Sequence, residues 1–470
     1  MSTTVAAAEV AATAAPHLQS WLDHQRRRLR VPGVQAAVRV GDRLVLDTAL
    51  GTADLSTGEA LMPEHLFRIA SHSKTFTATA VLQLVEAGRM RLDDPIAQWV
   101  PALAGTALAA VTVRELLGHQ GGVVRDGRDN DHWQLLQPFP DEAELLRIAG
   151  REGAVLERNE LFKYSNIGYS LVGLAIEAVT GTSYDAHVRA AVIDRLGLAD
   201  TTPEWAPDRA ADHAAGHTGL LDGEDVRSTV PHVDTRAMAA ATGFTSTARD
   251  LTTFGAALFT GDPTLLSDAT KRLMRRPESE IHAHGRDPRY YGLGLDLCTL
   301  GERRLIGHSG GYPGHITRTW IDPEGQVVVS VLTNAVDGPA DALARGLFAL
   351  LDLALAAPDG DAGERRPAEQ LQRYTGRFAN LWGVTDVALL GGRLVLLHPS
   401  APEPAEEYAE LTVADADTLR LETVAGFGSP GETVDYEWAA DGTVSRVRVG
   451  GISSWPLDVF RARRAAQVAG

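Results

Sequence analysis

Strand-like segments on both sides of a long helical stretch constrain this chain more than any other feature. Residues 34–40 and 44–50 flank Gly41-Asp42 and read as an antiparallel hairpin. Strand patterns return at 291–297, 304–308, 317–321 and 326–332, the last two on either side of the turn former Asp322-Pro323-Glu324-Gly325. From 93 to 231 the pattern is mostly helical, as at 113–117, 141–149 and 167–179, and helices follow at 247–259, 267–274 and 340–356. The pattern predicts an α/β (α+β) fold. One antiparallel sheet, flanked by helices, is closed by distant parts of the chain, and the helical insert forms a second lobe.

The composition shifts at Ala357-Pro358-Asp359-Gly360-Asp361, which reads as a linker. After it come short strands at 386–389, 393–397, 411–413, 419–423, 433–438, 444–449 and 459–461, the signature of a small barrel or sandwich. The first residues lack a basic start, carry Glu9 and hold no Leu, Ile or Phe. They read as a disordered start rather than a signal peptide. The expected organisation is a disordered N-terminus over 1–15, a principal domain over 16–356, a linker over 357–365 and a β-barrel over 366–470.

The chemistry starts at Ser71. Apolar residues at Ala80, Val81, Leu84 and Val85 predict a helix that opens at Ser71 and stops at Gly88. Ser71 and Lys74 then lie one turn apart on one face. A serine hydroxyl needs a base to become a nucleophile, and a lysine serves only if burial or charge lowers its pKa. The chain has three lysines, Lys74, Lys163 and Lys271, while 41 of its 44 basic residues are arginine. Arginine cannot deprotonate, so a lysine at 74 points to a need for a titratable amine.

Two further stretches carry polar groups of matching chemistry, Lys163-Tyr164-Ser165-Asn166 and Gly307-His308-Ser309-Gly310-Gly311. With Ser71/Lys74, Tyr164/Asn166 and His308/Gly310 in that order, the chain resembles the serine β-lactamase-like and penicillin-binding protein family. That family includes class C β-lactamases, D-aminopeptidases, D-peptidases, esterases and penicillin-binding-protein-type thioesterases. The stretch Gly243-Phe244-Thr245-Ser246-Thr247-Ala248-Arg249-Asp250-Leu251 is similar too, and the resemblance runs over about 31–355.

The resemblance implies a β-lactamase/transpeptidase-like fold with Ser71 as nucleophile and Lys74 and Tyr164 sharing the proton transfers. It leaves open which of the two is the resting base. Asn166 would hold the Lys74 amine and donate to the substrate amide. The backbone N–H groups of Ser71 and Gly311 would form the oxyanion hole. Ser309, Gly310 and Gly311 would line the edge where substrate docks, with His308 donating to Tyr164 or to a substrate carboxylate. The C-terminal domain would be lipocalin-like and open at Tyr374-Thr375-Gly376-Arg377-Phe378. Either the domain is a stabilising appendage, or one of its Gly-rich loops, 425–431 or 450–455, would overhang the cleft and bring Phe427 or Trp455 to substrate.

Departures from the family pattern touch the loops lining the cleft and leave substrate choice open. They are His308 in place of Lys, Glu157-Arg158-Asn159-Glu160 in place of a Pro-Gly turn, and His119-Gln120-Gly121-Gly122 in place of H-T-S-G. The expected activity is serine acyl transfer on amide, peptide or ester bonds of small peptide-like substrates, D-residues included. Two alternatives stand beside it. One is a thioesterase that unloads and macrocyclises a peptide bound to a carrier protein. The other is a β-lactamase or a covalent sensor that does not turn over.

The remaining signals exclude classes. Net charge is −17, which argues against nucleic acid and anionic membrane. Cys298 is the single cysteine, so there is no internal disulfide and no cysteine metal cluster; it reads as a core residue. No apolar run approaches the ~18 residues of a membrane span. Without an export signal the expected location is cytoplasmic. His213 with His217, and His282 with His284, lack a recognisable third ligand, so neither metal nor cofactor is expected. Gly307–Gly311 also fits G-x-S-x-G, but that elbow needs a helix directly after the serine, and Pro313 and Gly314 follow instead.

Overall fold

The structure, a computed structural model, describes residues 3–282, 289–356, 367–401, 403–424 and 429–469. The chain divides into two compact units, one of residues 31–344 and one of residues 1–30 with 345–470.

The larger unit is built on the predicted hairpin. Strands β1 (Gly33–Val40) and β2 (Arg43–Asp54) pair about Gly41, with Val38 opposite Leu46. The free edge of β1 takes a strand from nearly three hundred residues later. Between them in sequence come β3 (Glu59–Ala60), β4 (Ser279–Ile281), β5 (Arg289–Tyr291), β6 (Asp296–Leu300), β7 (Arg303–Tyr312) and β8 (His315–Asp322), followed by that partner, β9 (Val327–Thr333). Together they form a nine-stranded antiparallel sheet in the order β3-β2-β1-β9-β8-β7-β6-β5-β4. Every residue of Val-rich β9 is buried, as a central strand covered on both faces requires. The expected strand over 291–297 is two strands joined by a bend at 292–295, where the Gly292 N–H bonds to the Leu295 carbonyl.

The helices begin where capping residues put them. Asp141, Ser165, Thr247 and Ser267 each accept a backbone N–H from the first turn of the helix that follows. Helix α2 (Ser73–Glu86) follows a 3-10 turn at Ala70–His72 and ends just before Gly88. It is buried along most of its length, and Phe76 stacks on Phe254 at 4.0 Å and meets Phe244 at 4.7 Å. Helix α3 (Asn166–Thr180) closes at Gly181. These contacts join the helical lobe to the helix at Ala248–Ala256, which covers the sheet.

In the other unit, the N-terminus is ordered. Of the expected disordered start over 1–15, the described residues 3–15 are part of one helix, α1 (Thr3–Arg28), with Pro16 inside it. It buries Ala8, Ala11, Ala14, Leu18, Trp21 and Leu22, a stripe at spacings of three and four. Alanine has the highest helix propensity, so this stripe needs no large residue at its start. His24 bonds to the Ser400 hydroxyl and Gln25 to the Pro399 carbonyl. Residues 16–30 therefore belong with the C-terminal domain rather than with the principal one.

The strands after 366 form a closed eight-stranded antiparallel barrel. They run Gly376–Asn380, Gly383–Leu390, Arg393–Leu397, Tyr408–Val413, Thr418–Val424, Thr433–Trp438, Val444–Val449 and Ile452–Pro456. Phe378, Val387, Leu394, Leu396, Leu411, Leu419, Val434 and Val447 fill it. Two expectations fail here. Residues 459–461 lie in the helix Leu457–Ala469 rather than in a strand. Residues 450–455 are not a loop: Gly450 (φ 51°) and Gly451 (φ 80°) are the two-residue turn of a hairpin that pairs Val449 with Ile452. Two successive residues with positive φ are what such a turn demands. The expected linker, and residues 425–428 of the other proposed loop with Phe427, lie outside the described residues. Among the described residues, no helix is long and apolar enough to cross a membrane.

Candidate active site

Ser71 lies in the 3-10 turn that feeds α2, directly after Ala70, whose φ is +47°. An alanine in the left-handed region is strained, and the surroundings hold it there. The Ile69 N–H bonds to the Phe244 carbonyl, Ser73 Oγ donates to the Ala70 carbonyl, and Ser73 Oγ accepts from the Phe244 N–H. The His72 ring contacts the Ile69 carbonyl at 3.1 Å and Thr319 of β8 at 3.0 Å, which ties the turn to the sheet.

Lys74, one turn along, is wholly buried. Its Nζ donates to Asn166 Oδ1 and to the Ala241 carbonyl, each at 2.8 Å, and lies 3.2 Å from Ser71 Oγ. Burial pushes its pKa well below the ordinary lysine value; the Asp126 carboxylate opposes the shift and Arg125 adds to it. The Tyr164 hydroxyl donates to Ser71 Oγ at 2.6 Å. Burial pushes Tyr164 above the ordinary phenol range, while its bond to Ser71 and the Arg125 guanidinium oppose that shift. Both shifts favour the uncharged form of the group, the amine in one case and the phenol in the other, and the pair titrates together.

Asn166 opens α3, where Ser165 caps the helix, so the cap places it beside Lys74. Its Nδ2 donates to Asp126 Oδ1 at 2.7 Å, a partner the sequence did not reveal. Asp126 follows the His119-Gln120-Gly121-Gly122 stretch with no periodic pattern to mark it.

Strand β7 brings the third stretch in, and it runs through Gly311 to Tyr312 rather than ending at His308. Strand β6 pairs with β7 only as far as Gly307, so among the described residues 309–312 have no sheet partner on that side. A Cβ on Gly310 would stand 2.0 Å from the Ile69 carbonyl oxygen; only glycine lets this edge lie against the nucleophile turn. Ser309 and Gly311 are exposed on the strand. No helix follows Ser309, and the rival elbow therefore lacks its structural context.

His308 makes contacts other than the expected ones. Its Nδ1 lies 2.6 Å from the Ser309 carbonyl oxygen and its Nε2 2.9 Å from the Tyr291 hydroxyl. A carbonyl can only accept, so Nδ1 carries the hydrogen and Nε2 accepts from Tyr291. Burial lowers its pKa to about 3, with the Lys74 charge acting in the same direction. A neutral His308 with both nitrogens taken has no donor left for Tyr164 or a substrate carboxylate. It holds the β7 edge to Tyr291 instead.

Trp455 belongs to the other unit, on the last barrel strand. It stacks on Phe460 with ring centroids 6.3 Å apart, and the Arg463 guanidinium lies 4.7 Å from its ring centroid. His217 donates from Nδ1 to the Asn334 carbonyl and accepts the Leu55 N–H at Nε2, which leaves it no lone pair for a metal. His282 is exposed beside Glu280, and His284 lies outside the described residues. Among the described residues no group of three His, Cys, Asp or Glu side chains is arranged to hold a metal ion. Cys298, on β6, is half-buried rather than a core residue.

Comparison with known proteins agrees with this geometry. Penicillin-binding protein 4* of Bacillus subtilis (strain 168) is 27% identical over 314 residues, 64% of this chain and 67% of that protein. The chain spans between 40% and 67% of the length of the first curated relatives it matches. The crystal structure of SurE matches at 26% identity with a TM-score of 0.62, over 96% of this chain and 100% of that one. A D-stereospecific amidohydrolase from Streptomyces sp. matches at 26% identity with a TM-score of 0.60, over 70% of this chain and 97% of that one. The profile of the Beta-lactamase family matches residues 18–354. With the serine, lysine, tyrosine and asparagine converging within that span, the chain belongs to the Beta-lactamase family.

Proposed function

We propose that the protein is a serine acyl-transfer hydrolase that forms an acyl-enzyme on Ser71 and acts on amide, peptide or ester bonds of small peptide-like substrates, D-residues included. One observation carries this reading. Ser71 Oγ sits between a buried Lys74 amine at 3.2 Å and the Tyr164 hydroxyl at 2.6 Å. Ser71 Oγ attacks the substrate carbonyl as its proton passes to the Lys74 Nζ lone pair. The backbone N–H groups of Ser71 and Gly311 receive the oxyanion, where donors fixed in advance are worth most. The ammonium returns the proton through Tyr164 to the leaving nitrogen or oxygen, and that bond breaks. Water, activated in the same way, releases the acyl group. The open edge of β7 takes the substrate backbone as an added strand. The Streptomyces relative acts with D-stereospecificity by name, which supports D-residues among the substrates.

Intact-mass spectrometry after a fluorophosphonate tests the nucleophile. One adduct on Ser71 supports the reading, and an adduct on Ser309 refutes it. Turnover of D-amino acid amides against their L-counterparts tests the substrate class.

The barrel favours a second reading. Its closed eight-stranded antiparallel topology supports reading it as lipocalin-like. The family's thioesterase branch carries such a domain after the catalytic one, as do several of its hydrolases. An acyl-enzyme resolved by the substrate's own amine would release a macrocycle from a carrier-protein-bound peptide. A linear peptidyl thioester that yields a cyclic product by mass, rather than the hydrolysed acid, separates the two.

A further inference from the structure

We propose that Asp126 is a positioning residue, which keeps the Lys74 lone pair aimed at Ser71 by fixing which end of the Asn166 amide faces the lysine. The inference rests on Ser71 acting as nucleophile and deepens that reading.

A neutral lysine amine has two N–H bonds and one lone pair. Both N–H bonds have acceptors here, Asn166 Oδ1 and the Ala241 carbonyl, each 2.8 Å from Nζ. When the amine is neutral, as its role as base requires, the lone pair is left for the Ser71 hydroxyl, whose Oγ lies 3.2 Å from Nζ. This depends on the orientation of the Asn166 side chain, because an amide turned over presents N–H where C=O stood. That N–H would donate to the lone pair and turn an amine hydrogen toward Ser71, and the base would be lost.

Asp126 prevents the turn. A carboxylate only accepts, so it admits only the Nδ2 end of Asn166, at 2.7 Å. Asp126 is 2% exposed and has a second partner in Arg125, whose Nε lies 3.3 Å from Oδ2. Its loop is fastened to the start of α3. The N–H groups of Asn166 and Ile167 both bond to the Arg125 carbonyl, at 2.9 and 3.1 Å, and Ser165 Oγ donates to the Val124 carbonyl at 2.7 Å. Asp126 and Asn166 are thus held as one piece.

The groups facing Lys74 come from several elements. The rings of Tyr164 and Tyr169 have centroids 4.7 and 5.6 Å from Nζ, and the Arg125 guanidinium lies over Tyr164 at 5.0 Å. The imidazoles of His119 and His308, both kept neutral by burial, complete the surroundings. Asp126 brings the negative charge to this set and favours the protonated lysine.

Asp126→Asn tests the proposal in the full-length enzyme. It keeps size and hydrogen-bonding capacity but removes the charge and lets either end of the Asn166 amide fit. The expected result is a fall in kcat of about 10-fold or more, a fraction of the ~10²–10⁴-fold that a general base contributes. KM should stay within about threefold, and the acid limb of kcat/KM should move to lower pH as Lys74 loses its negative neighbour. Asp126→Ala is read in the same way should the first variant not fold. An unchanged kcat with an unmoved acid limb, or a loss confined to KM, overturns the proposal. The fluorophosphonate adduct on wild-type Ser71 keeps the two ideas apart: its presence with unaltered Asp126 variants removes only this inference, and its absence removes both.

Discussion

Gly310→Ala is a one-carbon change whose effect can be worked out from the contacts. The added Cβ would stand 2.0 Å from the Ile69 carbonyl oxygen and 2.4 Å from Thr317 Oγ1, where real Cβ contacts essentially never fall below 3.0 Å. Something must therefore move by about 1 Å. The Ile69 turn is poorly placed to yield, since its N–H is bonded to Phe244 and its carbonyl is in contact with the His72 ring. The β7 edge moves instead, and with it the Gly311 N–H. A misplacement of that size can cost about 10²-fold in rate. Overpacking adds a stability loss of about 1–3 kcal/mol. Steady-state kinetics on a small activated ester, with a thermal melt on the same sample, would measure both. The expected outcome is a fall of about 10²-fold in kcat/KM with a lower melting temperature. A kcat/KM within threefold of wild type, in a folded protein, would show that the edge of β7 takes no part in the chemistry.

Other outcomes follow from the same geometry. Ser71→Ala should give no acyl adduct by intact mass, whereas exposed Ser309→Ala should keep measurable turnover. Lys74→Arg retains charge but cannot deprotonate, so kcat/KM should fall by about 10²-fold or more; activity within a few-fold would reduce Lys74 to an electrostatic role. Buried His213 and His308, each with a folded-state pKa of about 3, bind fewer protons when folded than the 6.5 of free histidine implies. Their contribution is complete above pH 6.5 and is lost as pH falls toward 3, by up to about 1.4 kcal/mol per pH unit for each. Urea unfolding at pH 7.5 and 5.5 should therefore show roughly 2–3 kcal/mol less stability at the lower pH, and equal values would contradict the assignment.

Features that depend on local pattern were legible in the sequence. The Gly41 hairpin, the stop of α2 before Gly88 and the helix over 167–179 stand close to where periodicity and turn residues put them, although α2 opens at Ser73 rather than Ser71. What escaped depends on partners distant in sequence. Alanine-rich 3–15 carries no strong apolar signal, and its burial becomes visible only beside the Trp21 and Leu22 end of the same helix. Gly450-Gly451 reads equally as a flexible loop or a tight turn until its flanking strands are seen to pair. The His308 hydrogen bonds could not be read because Tyr291 reaches it from another strand. Asp126 has no motif, only a contact forty residues away with Asn166.

The pairing of β1 with β9 also sets an order of events during synthesis. Residues 34–40 cannot find their inner partner until residues 327–333 have been made. At about 5–20 residues per second, that interval is roughly 15–60 s. Over the same interval the Ser71 turn lacks the β8 threonine that holds His72, and the β7 edge beside it does not yet exist. A nascent chain therefore carries its serine and lysine long before it can use them, and the catalytic centre becomes competent only once residues up to about 333 have been made. During that time the hairpin edge is open to other chains, so slow or interrupted translation should favour aggregation over premature catalysis.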